Sequence, residues 1–234
     1  MLDTDLILQL LPERCIRISI PSLFFNAYNP EVTYIRESHS NIVYHDRLQL
    51  KLINCFEKFH AVLIESQDYY PKEFSEKCLE LSLSELKRRE VDQKIDIPIS
   101  DYIEARFRDE RLFHVLNHPS RNLLKVLSGR ILKYLGIDER IDINLTNYNL
   151  DQWQFPIYKS HFLNLNLKFD NPAHYVWNGE LSSPKDFFNR QIKYYSTLLP
   201  ATLAEQSFQF RNPVIRRWDL AAEFDYPISD VEAK

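Results

Sequence analysis

Glycine is scarce in this chain, and its scarcity excludes two common kinds of nucleotide site. The 234 residues contain three glycines, Gly129, Gly136 and Gly179. The dinucleotide-binding motif Gly-x-Gly-x-x-Gly and the phosphate-binding P-loop both need closely spaced glycines, because their backbone must approach the phosphates. The three glycines are too far apart to build either motif, so these residues hold neither a Rossmann-type nor a P-loop nucleotide site.

Cysteine and long apolar runs are scarce as well. The three cysteines are odd in number and widely spaced, so they predict neither a disulfide framework nor a zinc site with paired Cys-x-x-Cys ligands. No metal site is expected. The chain has no apolar run of about 18 residues, and acidic residues precede the short apolar run near its N-terminus, which argues against a membrane span and a signal peptide. We therefore expect a protein of the reducing cytoplasm.

An excess of positive charge is also missing. The formal net charge of −4 and the pI near 6.0 argue against a nucleic-acid-binding protein, whereas a phosphate-bearing small molecule is compatible with them. Hydrophobic residues make up 44% and aromatic residues 13% of the chain, which is enough for a full core. We predict an α/β core over residues 1–140 that carries the ligand site, and an irregular, aromatic-rich extension over residues 141–234 packed on the same domain.

Helical periodicity dominates the patterns that are present. The predicted helices cover residues 4–11, 46–60, 72–81, 82–90 after a capping box at 82–85, a stretch from Ser100, 117–136 and a stretch from Ser183. Short apolar or alternating runs predict strands at 15–20 and 112–116. Because a helix that leads into a strand is half of a parallel unit, the pattern favours a helix-rich α/β fold with a small, mainly parallel sheet flanked by helices.

Residues 100–136 combine helix boundaries with an unusual density of arginine and histidine, and we place the candidate site there. Asn117-His118-Pro119 predicts the start of a helix that Gly136 ends. Proline suits the first helical turn, where its missing N–H has no partner to lose, and glycine suits the left-handed position after the last turn. Apolar residues at helical spacing predict that one side of this helix faces the core.

The start of this helix has the chemistry of an anion site. Its backbone N–H groups, the hydroxyl of Ser120 and the guanidinium of Arg121 are suited to a phosphate. His118 can also move a proton near neutral pH. In the simpler alternative, Asn117 or His118 only caps the helix and the arginines face solvent, as most residues of these types do.

Three other groups of residues also allow a structural and a functional interpretation. For the basic triplet at 87–89 we favour a solvated face over a phosphate contact. For the aromatic residues of loop 21–31 we expect a hydrophobic lid over the sheet edge in preference to a pocket wall. His45 stands beside Asp46, but neighbours in sequence point in different directions, so this pairing has little specificity.

Several stretches resemble the WcbI-type capsular polysaccharide biosynthesis family, over about residues 1–200 and most specifically over 84–136. The resemblance rests on Glu85-Leu86-Lys87-Arg88-Arg89-Glu90, on Arg106 with Arg111-Leu112-Phe113, on Asn117-His118-Pro119 with the Leu-rich helix to Gly136, and on the upstream runs Ile20-Pro21-Ser22-Leu23-Phe24-Phe25, Tyr28-Asn29-Pro30 and Tyr44-His45-Asp46. The family pattern begins with a strand that leads into Gly-Asn-Cys-Gln. This chain lacks that tetrapeptide, since none of its cysteines is followed by glutamine.

The resemblance implies a coenzyme A-binding protein that transfers the acetyl group of acetyl-CoA to a capsule sugar. In that case His118 is the candidate base, Asn117 orients it or donates to the oxyanion, and His45 is a further catalytic candidate. The candidate ligands of the coenzyme A phosphates are Arg106, Arg111, Ser120, Arg121 and Lys125, since arginine forks match phosphate oxygens.

Two alternatives to this enzyme remain open. The first is a non-catalytic binding or interaction protein that recognises coenzyme A or a phosphosugar and has lost the segment with Gly-Asn-Cys-Gln. The missing tetrapeptide is equally compatible with the acetyltransferase if the chain starts inside a longer enzyme that has this segment. A weaker alternative is a hydrolase or transferase that acts on another phosphorylated sugar donor.

Overall fold

A computed structural model of the chain describes residues 12, 14–35, 43–46, 70–138 and 149–195. In chain order these residues form β1 (Val32–Ile35), β2 (Val43–Asp46), α1 (Lys72–Asp92), α2 (Ser100–Arg106), β3 (Phe113–Val115), β4 (His118–Pro119), α3 (Arg121–Tyr134), a 3₁₀ turn (Asn149–Gln152), β5 (Trp153–Gln154), α4 (Lys159–Asn164), β6 (Tyr175–Trp177), β7 (Glu180–Ser182) and α5 (Pro184–Tyr195). This mixture of helices and short strands confirms an α/β fold. The helix predicted at 4–11 lies outside the described residues, and so does the helix predicted at 46–60 except for its first residue, which ends β2. None of the described helices has the length and apolar character that crossing a membrane requires.

The sheets are antiparallel, so the prediction of a mainly parallel sheet is wrong. In the described part of the chain β1 pairs with β2, β3 pairs with β4, and β6 lies between β5 and β7. Only a short turn separates β3 from β4 and β6 from β7. Such short connections join antiparallel neighbours, because a parallel pair needs a crossover of a dozen or more residues. The strand predicted at 112–116 is present as β3.

Residues 15–20 form no strand, although their apolar residues alternate. Ile16 is 72% exposed and Ile20 is 48% exposed, so the alternation does not correspond to a buried face. The segment is held by Ser19, whose backbone N–H and hydroxyl both donate to the carboxylate of Asp96 at 2.7 Å. The Ser19 hydroxyl also accepts from the N–H of Asp96 at 2.9 Å. Hydrogen bonds of the side chain and backbone of Ser19 to Asp96 and Ile97 thus hold the segment in place of the predicted strand ladder.

Loop 21–31 belongs to the core, so the predicted lid is wrong. Phe25 and Tyr28 are each 1% exposed and pack with Phe107 and Phe113 in one cluster. The Tyr28 hydroxyl donates to the carbonyl of Phe107 at 2.6 Å, which satisfies its polar end inside the core. The first three helices contribute further buried side chains to this cluster, including Leu86, Ile103 and Leu123.

Helix α1 runs without a break through the capping box predicted at 82–85. Ser82 and Glu85 are buried within the helix. The carboxylate of Glu85 accepts two hydrogen bonds from the guanidinium of Arg88, at 2.7 and 2.8 Å, and therefore caps no helix start. Residues 82–85 have the sequence of a capping box, but the carboxylate of Glu85 pairs with Arg88, about one turn further along the same helix.

The basic triplet ties α1 to its neighbours. The Nζ atom of Lys87 lies 2.7 Å from a carboxylate oxygen of Glu104 on α2. The side chain of Arg89 is only 13% exposed, and it donates to the carbonyls of Ser22 and Phe24 at 3.2 and 3.1 Å. A solvated face is therefore wrong for Arg89, which holds loop 21–31 against the helix.

Helix α3 begins after Ser120, and not at Asn117-His118-Pro119 as predicted. The Ser120 hydroxyl accepts from the N–H of Leu123 at 3.3 Å and so caps the helix. His118 and Pro119 form β4 instead. Neither Asn117 nor His118 is the cap.

The end of α3 agrees with the sequence prediction. Gly136 has φ of +71°, the left-handed conformation that glycine adopts without steric cost. Its N–H donates to the carbonyl of Lys133 at 3.1 Å, and the N–H of Ile137 donates to that of Leu132 at 2.9 Å. This pair of bonds is the Schellman motif, which satisfies carbonyls that the helix end would leave without partners.

The substitution Gly136→Ala should lower the free energy of unfolding by about 1 kcal/mol, because a side chain is strained at positive φ. The matched control is Gly129→Ala in the exposed middle of α3, where a new Cβ meets no described atom within 4 Å beyond the helix itself. There alanine should raise the free energy of unfolding by about 0.5–1 kcal/mol. Urea unfolding measures both values, and shifts of the same sign would contradict the left-handed helix end.

A buried histidine joins α4 to α1 and to loop 21–31. His161 is 0% exposed; its Nε2 donates to the carbonyl of Ala27, and its Nδ1 accepts from the hydroxyl of Ser75 at 2.8 Å. The bond that Nδ1 accepts requires the neutral ring, and burial lowers the pKa of His161 to about 4.

The stability of the protein should therefore fall as the pH falls through the range between the two pKa values of His161. The pKa is about 4 in the folded chain and near 6.5 in the unfolded chain, so in this range the unfolded state binds more protons. The expected slope is about 1.4 kcal/mol per pH unit for this group. Urea unfolding at a series of pH values measures it. His161→Gln should remove this part of the slope, while replacement of the exposed His174 by Asn should not. An unchanged slope in His161→Gln would contradict the assignment.

Candidate functional site

The candidate site begins at the hairpin of β3 and β4. Phe113 and Val115 are core residues with 1% exposure, and side chains alternate along a strand, so His114 points to the opposite side. Val115 pairs with His118, and the register of the pairing shifts between Phe113 and Val115. Ser120 follows directly as the cap of α3. The hairpin thus brings two histidines beside the start of a helix.

The 3₁₀ turn and β5 form the second side of the site. The carbonyl oxygen of Leu150 lies 2.8 Å from Nδ1 of His118. The carboxylate of Asp151 lies 3.3 Å from the guanidinium of Arg121, the first residue of α3. The N–H of Phe155, the residue after β5, donates to the carbonyl of His114 on β3 at 3.2 Å. Residues from both sides of the undescribed segment 139–148 therefore meet at one place.

Arg111 adds a positive charge to this place. Its Nε donates to the carbonyl of Phe113 at 3.2 Å, and its Nη2 donates to those of His114, at 3.3 Å, and Phe155. Its Nη1 is shielded from solvent and has no hydrogen-bond partner among the described residues. Burial lowers the pKa of Arg111 to about 10, which still leaves the guanidinium charged at neutral pH.

The two histidines are neutral at pH 7. Burial lowers the pKa of His114 to about 4, and the charge of Arg111 lowers it further while Asp151 opposes the shift. Burial also lowers the pKa of His118, against the opposing effect of its hydrogen bond to Leu150. The positive charge of the site therefore comes from its arginines.

The hydrogen bond to Leu150 fixes the tautomer of His118. A carbonyl oxygen can only accept, so Nδ1 of His118 carries the ring hydrogen. The neutral imidazole has one such hydrogen, and its lone pair is therefore on Nε2. An imidazole held in this way can take a proton from a hydroxyl group that approaches Nε2.

Four of the predicted site residues lie together, namely Arg111, His118, Ser120 and Arg121. Asn117 is next to them, in the turn that joins β3 to β4. The hairpin and the start of α3 account for this grouping.

The remaining predicted site residues lie on other surfaces or elements. The guanidinium of Arg106, on α2, binds the carboxylate of Glu110 through Nε at 2.8 Å and Nη2 at 2.5 Å. Lys125 is exposed on the second turn of α3. His45 belongs to β2, which pairs with β1. Phosphate binding by Arg106 and Lys125 and a catalytic role of His45 stay predictions.

His114, Leu150 and Asp151 lie at the site but are not among the residues predicted from the sequence. The signal for His114 is its position as the single polar residue in the apolar run 112–116, which puts it on the side of the strand away from the core. Leu150 acts through its backbone carbonyl, so its residue type carries no signal.

Comparisons with known proteins agree with the fold. A search of the curated proteins finds no match. A solved structure of WcbI has a TM-score of 0.71 and 18% identity to this chain, and the match covers 86% of this chain and 69% of that one. That protein is described as a novel polysaccharide biosynthesis enzyme, in its native form without a disulfide bond between coenzyme A and a cysteine. At this identity the likeness shows a shared fold.

The family model described as polysaccharide biosynthesis enzyme WcbI matches residues 2–140, which is more than half of the 234 residues. The chain therefore belongs to the WcbI family of polysaccharide biosynthesis enzymes.

Proposed function

We propose that this protein uses acetyl-CoA to acetylate a sugar hydroxyl in polysaccharide biosynthesis. The proposal is based on the environment of the Arg111 guanidinium. It is shielded from solvent and bound to backbone carbonyls, and it lies close enough to His114 to lower the pKa of that ring. Neutral carbonyls hold this cation without neutralising it, so its charge still attracts an anion that binds beside it. The coenzyme A in the description of the WcbI structure makes a coenzyme A thioester the best candidate.

We assign the phosphates of coenzyme A to Arg111, Arg121 and the N-terminus of α3. The side chains of Arg121 and Asp151 are 53% and 42% exposed, and an ion pair this exposed is worth about 0–1 kcal/mol. A charge-assisted bond from arginine to phosphate is worth about 1.5–3 kcal/mol, so a phosphate can displace Asp151. Ser120 contributes to this helix end, while Lys125 and Arg106 are candidates for outer contacts.

We assign the proton transfer to His118. The hydroxyl oxygen of the sugar attacks the thioester carbonyl carbon while Nε2 of His118 takes the hydroxyl proton. When the tetrahedral intermediate collapses, the carbon–sulfur bond breaks and the imidazolium gives the proton to the leaving sulfur. The ring thus returns to its starting form. Asn117 is a candidate donor to the oxyanion, and His45 stays a candidate for a supporting role.

A non-catalytic protein that binds coenzyme A or a phosphosugar is the second candidate. The absence of Gly-Asn-Cys-Gln from the 234 residues favours it, because no residue of this chain matches the cysteine of the family pattern. Binding of coenzyme A separates the enzyme from a protein that binds only a phosphosugar, and acetyl transfer separates it from a protein that only binds coenzyme A.

Coenzyme A should bind to the full chain, with an affinity that falls as salt is added, because phosphate contacts are screened by ions. Arg121→Ala should weaken binding about tenfold, the effect of one charge-assisted bond at a half-exposed position. The matched control is Arg130→Ala on the same helix, since Arg130 is paired with Asp101 at 2.7 Å. Titration calorimetry gives the dissociation constants. No binding to the intact chain at millimolar coenzyme A, or equal losses in both variants, would contradict the assignment.

His118→Asn should lower acetyl transfer by about 10²–10⁴-fold, the usual contribution of a positioned general base. The amide nitrogen of asparagine can take the place of Nδ1 and keep the hydrogen bond to Leu150, so the melting temperature should change little. The affinity for coenzyme A should also change little. A steady-state assay with acetyl-CoA measures the transfer, and His174→Asn at an exposed position is the control. Full activity in His118→Asn would remove His118 from the mechanism.

A further inference from the structure

The sheet of β5, β6 and β7 carries two tryptophans and a carboxylate in one row. Trp153 is paired with Trp177, and Trp177 with Glu180 on the next strand. Side chains of directly paired residues stand on the same face of a sheet. The two aromatic rings have centroids 4.5 Å apart at an interplanar angle of 61°. The row therefore has an aromatic part and an acidic end.

The two tryptophans border a core cluster without being enclosed by it. Phe155, Tyr175 and Phe187 are at most 5% exposed and form the interior of this cluster. Trp153 and Trp177 pack against it but are only partly buried. Because their inner edges are packed, the indoles are held in place while another part of their surface meets solvent. This gives a rigid aromatic surface.

The row lies beside the candidate site. Trp153 follows Asp151 by two residues and Leu150 by three, and consecutive Cα atoms are about 3.8 Å apart. The Cα of Trp153 is therefore within about 8 Å of that of Asp151 and within about 11 Å of that of Leu150. These two residues contact Arg121 and His118. A small saccharide can reach from the row to the proposed base.

We propose that Trp153, Trp177 and Glu180 bind the saccharide acceptor. A pyranose ring has a face of C–H groups, which can lie against indole, and a rim of hydroxyls, which can donate to a carboxylate. The side chain of Glu180 is 75% exposed, and its contact with Arg190 is 3.7 Å long, so sugar hydroxyls can compete for it. The inference rests on the proposed function, because it gives the acceptor its place in that site.

The acidic end of the row favours a saccharide over part of coenzyme A. An adenine ring could also stack on indole, but the phosphates of coenzyme A would then stand near the carboxylate of Glu180. Like charges repel, whereas neutral hydroxyls bind to a carboxylate.

The test compares Trp177→Leu with Leu181→Ser in the full chain. Leucine keeps an apolar side chain against the core cluster but removes the aromatic surface. Leu181 is in the same hairpin, is 78% exposed, and belongs to a row on the opposite face, where it pairs with Val176. With the methyl glycosides of glucose, galactose and mannose as acceptors, Trp177→Leu should raise the acceptor KM about tenfold, which corresponds to one aromatic contact. The dissociation constant of coenzyme A and the acceptor KM of Leu181→Ser should not change.

A second measurement does not depend on acetyl transfer. The chain has three tryptophans, and Trp218→Phe leaves Trp153 and Trp177 as the fluorescent ones. Titration of this variant with the same glycosides should change its fluorescence. The further substitution Trp177→Leu should raise the glycoside concentration at which half of the change occurs. A response without any binding of coenzyme A would overturn the proposed function and keep the saccharide site. No response to any of the glycosides, an equal loss in Leu181→Ser, or weaker binding of coenzyme A instead of the acceptor would overturn the saccharide site.

Discussion

The guanidinium of Arg111 joins the two parts of the chain on which the site depends. It donates to the carbonyls of Phe113 and His114 in the β3 and β4 hairpin, and to that of Phe155 at the end of β5. A buried charge is costly unless it is hydrogen-bonded, and carbonyl dipoles meet this need without neutralising the charge. The interaction that packs β5 on β3 therefore also keeps a cation in the site. Loss of Arg111 would take a donor from all three carbonyls, although that of His114 would keep the N–H of Phe155, so structure and function would be weakened together. Arg121 is more exposed, so its substitution tests the binding of phosphate without removing these structural contacts.

The same charge explains how an anion site and a base can share one place. A base beside cations is hard to protonate, and the low pKa of His114 has the charge of Arg111 as its second cause after burial. Burial acts on His118 in the same direction. Burial and the neighbouring cations therefore keep the imidazoles neutral, and the same cations suit a phosphate. An imidazole that is neutral at pH 7 can accept a proton, which a charged one cannot.

Residue types predicted part of the site, and pairing over distance decided the rest. Ser120 and Arg121 were predicted beside a helix start, and both lie there. Pro119 was misleading, because a φ near −65° suits both a first helical turn and an extended strand, and the pairing with β3 selects the strand. The antiparallel sheets were missed for a related reason. The turn Asn178-Gly179, with φ of +52° and +83°, is a hairpin signal. The strands on either side have three residues each, too few for alternation to be visible.

Backbone atoms mark the limit of what residue types can predict here. The family model ends at residue 140, and the division of the chain at that point stays a prediction. The site is completed beyond it, by the carbonyls of Leu150 and Phe155 and the carboxylate of Asp151. Every residue has a carbonyl, so two of these three contacts leave no trace in the sequence. The tautomer of His118 depends on one of them, 32 residues away along the chain. His118 can be identified as a candidate base from its residue type, but which of its nitrogens can act depends on how the chain folds back on itself.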